Sequence, residues 1–237
     1  ACAAIIRSFY GTEFSTGNMR VISDNSIRPL SESSVVTIGN FDGLHLGHKA
    51  LINRCRALKE QGQDVAVVTF DPSPQAWFSG PSGPVRITSQ RQKLALLEES
   101  GVDLVWSMGF NQELADMSAL TFAESVLAGA LSATRVVVGE DFRFGRGREG
   151  DVEMLESLGG TLGFGVDALS DVKKDGVKVS STAVRKALAD GNFDQAASFL
   201  GRRFTLQGEV IQGSRLGRKL GYPTANMRPE AVPCPLG

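Results

Sequence analysis

Val35-Val36-Thr37-Ile38 runs directly into a turn spaced by Gly39, Gly43 and Gly47, and the turn runs into a stretch where Leu51, Cys55 and Leu58 recur at helical spacing. A β-branched run bounded by glycine and followed by a 3.6-residue period reads as a strand, a tight turn and an amphipathic helix over about residues 46 to 61. The same alternation continues downstream. Val65 to Phe70 reads as a second buried strand, stopped by Asp71-Pro72-Ser73-Pro74 because proline cannot donate to a ladder and restricts its predecessor. A Gly-, Pro- and Ser-rich loop runs through about Pro84. Thr88 then fits an N-cap for a helix carrying Leu94, Leu96 and Leu97, closed by Gly101. Val102 to Met108, Arg135 to Gly139 and Thr161 to Val166 are the further strands, separated by one or two helices within Leu114 to Leu131 and one over Val152 to Leu158. This order implies βαβ units, hence an α/β fold around a parallel sheet.

Beyond the last strand, Lys173 to Gly176 reads as a charged turn, Ser180-Ser181-Thr182 as the cap of a helix reaching Ala189, and Asn192 as the start of another ending at Gly201. From Arg203 the character changes. Phe204 to Val210 alternates like a strand, and the remainder is rich in glycine and proline with no helical period. A segment of about 35 residues cannot bury a self-sufficient core. The expected organisation is a complete α/β domain over 1–201 and the opening of a β-rich domain over 202–237.

With 25 Lys+Arg against 26 Asp+Glu the formal net charge is -1, and the basic residues are scattered, so no nucleic-acid surface of the electrostatic kind is expected. Cys2, Cys55 and Cys234 lie far apart with no C-x-x-C spacing, which suits a reducing, cytosol-like compartment and offers no zinc site. No apolar run approaches the roughly 20 residues needed to span a bilayer, so no membrane partner is expected. The chain begins at Ala1 without methionine, which leaves an organelle address upstream open.

Chemistry concentrates in the first turn. His45 and His48 are the chain's two histidines, and three-residue spacing on a helical turn puts both imidazoles on one face. Glycines there permit tight turning and close backbone approach, and the amides of a helix N-terminus add positive potential. Donors converging in this way would stabilise the charge that builds when a substrate phosphate attacks the α-phosphate of a nucleotide. Two further segments offer compatible groups. Hydroxyls at Ser181 and Thr182, with Arg185 nearby, either cap a helix or hold phosphate oxygens. The loop Gly139 to Gly150 follows the fourth strand at the carboxyl edge of the sheet, where its phenylalanines can stack on a planar ligand and its arginines can meet phosphate.

The first turn resembles the H-x-G-H signature of the nucleotidyltransferase superfamily, and Val179 to Arg185 resembles that superfamily's I-S-S-T-x-I-R motif. With Thr69-Phe70-Asp71-Pro72 and Gly139 to Gly145, the order of motifs is similar to the bacterial FAD synthetases, bifunctional riboflavin kinase/FMN adenylyltransferases, over about Val35 to Asn226. The resemblance implies a Rossmann-like nucleotidyltransferase domain followed by the beginning of a riboflavin kinase β-barrel, ATP and FMN as substrates, Mg2+ as cofactor, and FAD and pyrophosphate as products. By position it implies catalysis by His45 and His48. ATP contacts would come from Gly39, Asn40, Phe41, Gly47, Ser181, Thr182 and Arg185, and flavin contacts from Phe70, Asp71, Asp141 and Phe144. Ser73 departs from the larger basic residue that many members carry there. Gly208 to Gly213 and Leu216 to Asn226 are similar to the start of the kinase barrel, with Thr224 and Asn226 as implied magnesium ligands. The family's catalytic glutamate lies further downstream, so riboflavin phosphorylation is expected of a longer protein and not of these 237 residues. Other acceptors of the superfamily, namely phosphopantetheine, nicotinamide mononucleotide and glycerol phosphate, and a flavin- or nucleotide-binding protein without turnover, are the competing expectations.

Overall fold

A computed structural model describes residues 13–212, 222 and 226–230. Seven strands form one sheet in the order β1-β2-β5-β4-β3-β6-β7. They are β1 (Glu13–Thr16), β2 (Met19–Ile22), β3 (Ser34–Ile38), β4 (Asp64–Phe70), β5 (Leu104–Met108), β6 (Ala133–Gly139) and β7 (Gly165–Leu169). Every pairing is parallel except the β1–β2 hairpin. The chain leaves β3 toward β4 on one side and later returns to place β6 on the other. The carboxyl ends of β3 and β6 therefore flank a topological switch point, where open α/β sheets bind ligands.

Both faces of the sheet are covered, as parallel sheets require. Alternation along β3 sends Val35 to one face, against Ile52 and Cys55 of α1 (Leu46–Leu58) and Leu97 of α3 (Gln90–Glu99). Val36 and Ile38 go to the other face, against Phe122 of α5 (Ala119–Phe122), Val126 and Leu127 of the π-helical turns over Ala123–Ala130, and Leu155 of α6 (Val152–Leu162). Two short helices, α2 (Pro74–Ser79) and α4 (Gln112–Asp116), lie in the connections. A third apolar cluster joins α7 (Ser181–Ala189) and α8 (Phe193–Leu200) to Ile87 and Val179. Lys173–Lys174 and Val177–Lys178 form a small hairpin, β8 and β9, and Gly208–Ile211 pairs antiparallel with Asn226–Pro229 as β10 and β11. Among the described residues no helix is long and apolar enough to cross a membrane.

Several boundaries differ from the sequence reading. Ser89, not Thr88, caps α3: its side chain accepts from Gln92 N–H while the Gln92 side chain accepts from Ser89 N–H, a capping box. Helix α6 runs four residues further than its apolar spacing suggested, until Gly163 takes a left-handed φ of 88° and both Gly163 and Phe164 donate to the carbonyl of Gly159. The fifth expected strand accordingly starts at Gly165 instead of Thr161. Strand β10 begins at Gly208, so only the last part of the Phe204–Val210 alternation is paired. Part of the expected Gly- and Pro-rich loop is the helix α2, capped by Ser73, whose hydroxyl accepts from Ala76 N–H at 3.2 Å.

Candidate active site

The turn between β3 and α1 is strained and heavily tied down. Phe41 and Leu44 hold positive φ of 49° and 40°, conformations that non-glycine residues adopt at a cost. Three neighbouring segments compensate. The Asp42 carboxylate accepts from the backbone N–H of Ile87 and Thr88, both at 3.0 Å, from the Thr88 hydroxyl at 3.2 Å, and from Arg185 Nη2 at 2.6 Å. Gly43 N–H donates to Thr88 Oγ1 at 3.1 Å, the hydroxyl left free by Ser89's capping role. From beyond α8, Arg202 donates to the carbonyls of Gly43 and Leu44 at 2.8 and 3.2 Å.

This scaffold fixes the two imidazoles. His45 is the N-cap of α1, its Nδ1 accepting from His48 N–H at 3.4 Å, and the two rings stack with centroids 3.7 Å apart and planes 18° from parallel. Phe41 supports His48 from a centroid distance of 4.9 Å. Gly47 makes the stack possible, because a Cβ there would lie 3.1 Å from Cε1 and Nδ1 of His45. Burial, reinforced by the Arg185 and Arg202 guanidiniums and opposed by Asp42, pushes His45 down to about 4. Burial, then His45 and Lys93, hold His48 well below the usual imidazole range. Both rings are therefore neutral at pH 7. With Nδ1 of His45 acting as acceptor, its single proton resides on Nε2, which makes that nitrogen a donor.

Two cavities open at this end of the sheet. The first, a cleft open to solvent, is polar and is walled by Asn40, Asp42, Thr88, Lys93, Ser181, Thr182 and Arg185, with Ser73 and Arg86 from the loop. Ser181 Oγ donates to the Asp42 carbonyl at 2.9 Å, and Arg185 Nε donates to the Val85 carbonyl at 2.7 Å. Arg185 thus uses two of its five N–H groups on the protein, leaving three for a ligand. Lys93 is only 7% exposed, and burial pushes it down to about 8. The second cavity, about 700 Å³, is lined by Ile38, Phe70, Phe78, Phe110, Phe122, Phe142 and Phe144, with Arg143 and Arg148. Within it Phe142 and Phe144 stack at 5.5 Å, and Phe70 meets Phe110 edge-on at 5.9 Å. Phe70 lies on the walls of both cavities.

The residues singled out from sequence separate accordingly. Asn40, Ser181, Thr182 and Arg185 reach the polar cavity, Phe144 the aromatic one, and Phe70 both. His45 and His48 lie on the turn that supplies Asn40 and Asp42 to the polar wall. Gly39 N–H is committed to the Val68 carbonyl at 3.0 Å. The Phe41 side chain is completely buried in the core, against the His48 ring, and lines neither cavity. Neither Asp71 nor Asp141 lines a cavity: Asp71 is paired with Arg86, which does line the polar one, and the exposed Asp141 carboxylate is paired with Lys178 at 2.6 Å. Asn226 is exposed on β11, and Thr224 lies outside the described residues. Sequence reasoning missed Asp42, Lys93, Arg86, Thr88 and Arg202. Asp42 was available from its place inside the histidine turn, whereas Lys93 looks like any cation on a solvated helix face. Among the described residues no three His, Cys, Asp or Glu side chains converge as metal ligands, and the oxygens of Asp42 are occupied by protein donors. These residues do not form a protein cage for magnesium.

The FAD synthetase family model matches residues 27–183 and the riboflavin kinase family model residues 200–236. A bifunctional riboflavin kinase/FMN adenylyltransferase of Escherichia coli (strain K12) is 43% identical over 200 residues, covering 83% of this chain and 63% of that protein. Its counterpart in Pseudomonas fluorescens is 42% identical over 205 residues, covering 86% and 66%. The chain thus spans less than two thirds of the length of these relatives. A solved structure described as a macrolide-efflux protein from Streptococcus pneumoniae superposes with a TM-score of 0.76 at 27% identity, covering 88% of this chain and 69% of that one.

Proposed function

The chain belongs to the FAD synthetase family, and from that membership together with its paired cavities we propose that it transfers the adenylyl group of ATP to the phosphate of FMN, giving FAD and pyrophosphate. The observation that carries this reading is the shared wall at Phe70: a cation-bearing polar cleft and an aromatic cavity meet there, as two substrates joined phosphate to phosphate require. In this reading the isoalloxazine ring enters among Phe70, Phe110, Phe142 and Phe144, and the nucleotide triphosphate occupies the cleft of Asn40, Thr182 and Arg185.

An oxygen of the FMN phosphate attacks the α-phosphorus of ATP, a new P–O bond forms, and the bond to the bridging oxygen of pyrophosphate breaks. Neutral imidazoles do not supply charge. In this reading they supply hydrogen bonds, from His45 Nε2–H and the His48 ring, to the phosphate whose charge rises in the transition state. The remaining N–H groups of Arg185 and the Thr182 hydroxyl hold the departing pyrophosphate. Magnesium enters this reading as the counter-ion of the ATP substrate. Residues 1–201 carry the transfer, and the segment from 202 is the opening of a riboflavin kinase domain, with riboflavin as the substrate of the longer protein. A cytoplasmic setting, small-molecule substrates and no nucleic-acid or membrane partner belong to the same reading.

Incubation of the chain with FMN, ATP and magnesium, and chromatographic separation of the flavins, tests it. FAD accumulation is the expected result. Tight FMN binding with no FAD would turn the reading into one of flavin binding without turnover.

A further inference from the structure

The polar cleft contains one cation that makes no direct ion pair among the described residues: the Asp42 and Asp71 carboxylates favour the Lys93 charge only from a distance, being themselves paired with other cations. Arg185 is paired with Asp42 and Arg86 with Asp71, while Lys93 has hydrogen bonds only to Thr69 Oγ1 at 3.2 Å and the Asn40 carbonyl at 3.4 Å. An ammonium has three N–H groups, so one is unspent. The position is unfavourable for a positive charge on two independent grounds. Lys93 is 7% exposed, and it sits in the first turn of α3, where the helix dipole already presents its positive end. Its lowered pKa, about 8, reflects the first of these, yet still leaves it mostly protonated at pH 7. Lys→Met at such a site would relieve both costs, so packing alone gives no reason for a lysine. A phosphate dianion arriving in the cleft does.

The contacts of Lys93 also locate that phosphate. Thr69 and Asn40 stand at the carboxyl ends of β4 and β3, and the residue after Thr69 is Phe70, the wall common to both cavities. A ligand whose planar ring fills the aromatic cavity and whose phosphate crosses Phe70 enters the cleft on the Lys93 side. Resting on the adenylyl-transfer reading, we propose that Lys93 is a further catalytic residue, whose ammonium contacts the phosphate of the flavin acceptor and holds it against the α-phosphate of ATP. The neutral imidazoles then provide direction and Lys93 provides charge. The contact also separates FMN from riboflavin, which has the same ring and no phosphate.

The test compares wild type, Lys93→Met and Lys93→Arg in two assays. Flavin fluorescence titrations measure FMN, riboflavin and, by competition, a non-hydrolysable ATP analogue; chromatography measures FAD formation. For Lys93→Met, FMN affinity is expected to fall about 10- to 100-fold, the range of a charge-assisted contact, with riboflavin and the ATP analogue within about twofold. FAD formation should fall by about 100-fold or more in kcat/KM, with the melting temperature undiminished, and Lys93→Arg should recover part of the preference for FMN. Equal loss of FMN and riboflavin with a lower melting temperature would assign Lys93 a packing role and overturn the proposal. So would a loss confined to the ATP analogue, which would move the contact to the donor. FAD formation by wild type judges the transfer reading, and the FMN-to-riboflavin ratio judges Lys93 independently of turnover.

Discussion

Asp42 is the residue on which the geometry of the site converges, and Asp42→Asn is the substitution that measures how much it holds. The carboxylate receives two backbone N–H groups, the Thr88 hydroxyl and the Arg185 guanidinium, and the Asp42 and Arg185 side chains are only 16% and 20% exposed. Asparagine keeps the shape but replaces one acceptor oxygen with an NH2 group. Whichever way the amide turns, that group faces a donor, either Arg185 or the amides of residues 87 and 88. Breaking a mostly buried pair from one side costs about 3 to 5 kcal/mol when burial is complete, and the residual exposure here places the expectation near the lower end, about 3 kcal/mol. For a domain of this size that is a fall of roughly 6–12 °C in melting temperature. Thermal unfolding measured by circular dichroism on Asp42→Asn, Arg185→Met and the double variant would show it, with a coupling of about 2 kcal/mol between the two sites. FAD formation should fall in the same variant, since the turn that orients His45 loses its anchor to the 87–88 segment. A change below about 1 kcal/mol with strictly additive single variants would refute the view that this hub holds the turn.

Gly47→Ala separates stability from positioning. Helix propensity alone favours alanine by about 1 kcal/mol, but the new Cβ lies 3.1 Å from the His45 ring, so kcat should drop at least tenfold in steady-state assays while the melting temperature is unchanged or higher. Phe78 lines the aromatic cavity yet is 69% exposed. Phe78→Ala should leave thermal stability within about 0.5 kcal/mol, and KM for FMN should rise about 2- to 10-fold, the worth of one aromatic contact, with KM for ATP unchanged. Acid unfolding should show the histidine pair. The folded-state pKa of His45 is lowered from 6.5 to about 4, so the unfolded chain binds the proton first and stability falls as pH drops from 6.5 to about 4, by about 3 kcal/mol from this residue if the shift is fully expressed. Urea titrations at pH 7 and pH 4.5 would measure this, and His45→Gln should flatten the slope in that window.

The strand, turn and helix around the histidines were legible because hydrophobic period, glycine spacing and residue chemistry all change at the same place. The Ser180 cap was legible for a similar reason, as a hydroxyl cluster next to an apolar period. Strand β2 was not: Met19–Ile22 is four residues long, and its place beside β5 is decided by packing of Met19, Val21 and Ile22 in the two core layers. Thr161 to Phe164 has strand-like composition, but Thr161 and Leu162 belong to the last turn of α6, and the left-handed turn at Gly163, with Gly163 and Phe164 both donating to the Gly159 carbonyl, ends the helix only there. Within the site, residues next to one another along the chain diverged in space. Phe41 lies in the core while Asn40 reaches the cleft, because positive φ at position 41 turns the chain there. Lys93 and Arg202 act on the turn from 53 and 158 residues away, pairings that no local period encodes.

The joining of two phosphates across Phe70 is the central claim, and its most direct measurement is the stoichiometry of products with competing acceptors. With ATP and magnesium present, FMN should yield FAD and pyrophosphate in equal amounts, while riboflavin, phosphopantetheine and nicotinamide mononucleotide yield neither. Pyrophosphate release with phosphopantetheine or nicotinamide mononucleotide at the FMN rate, or none with FMN, would contradict it.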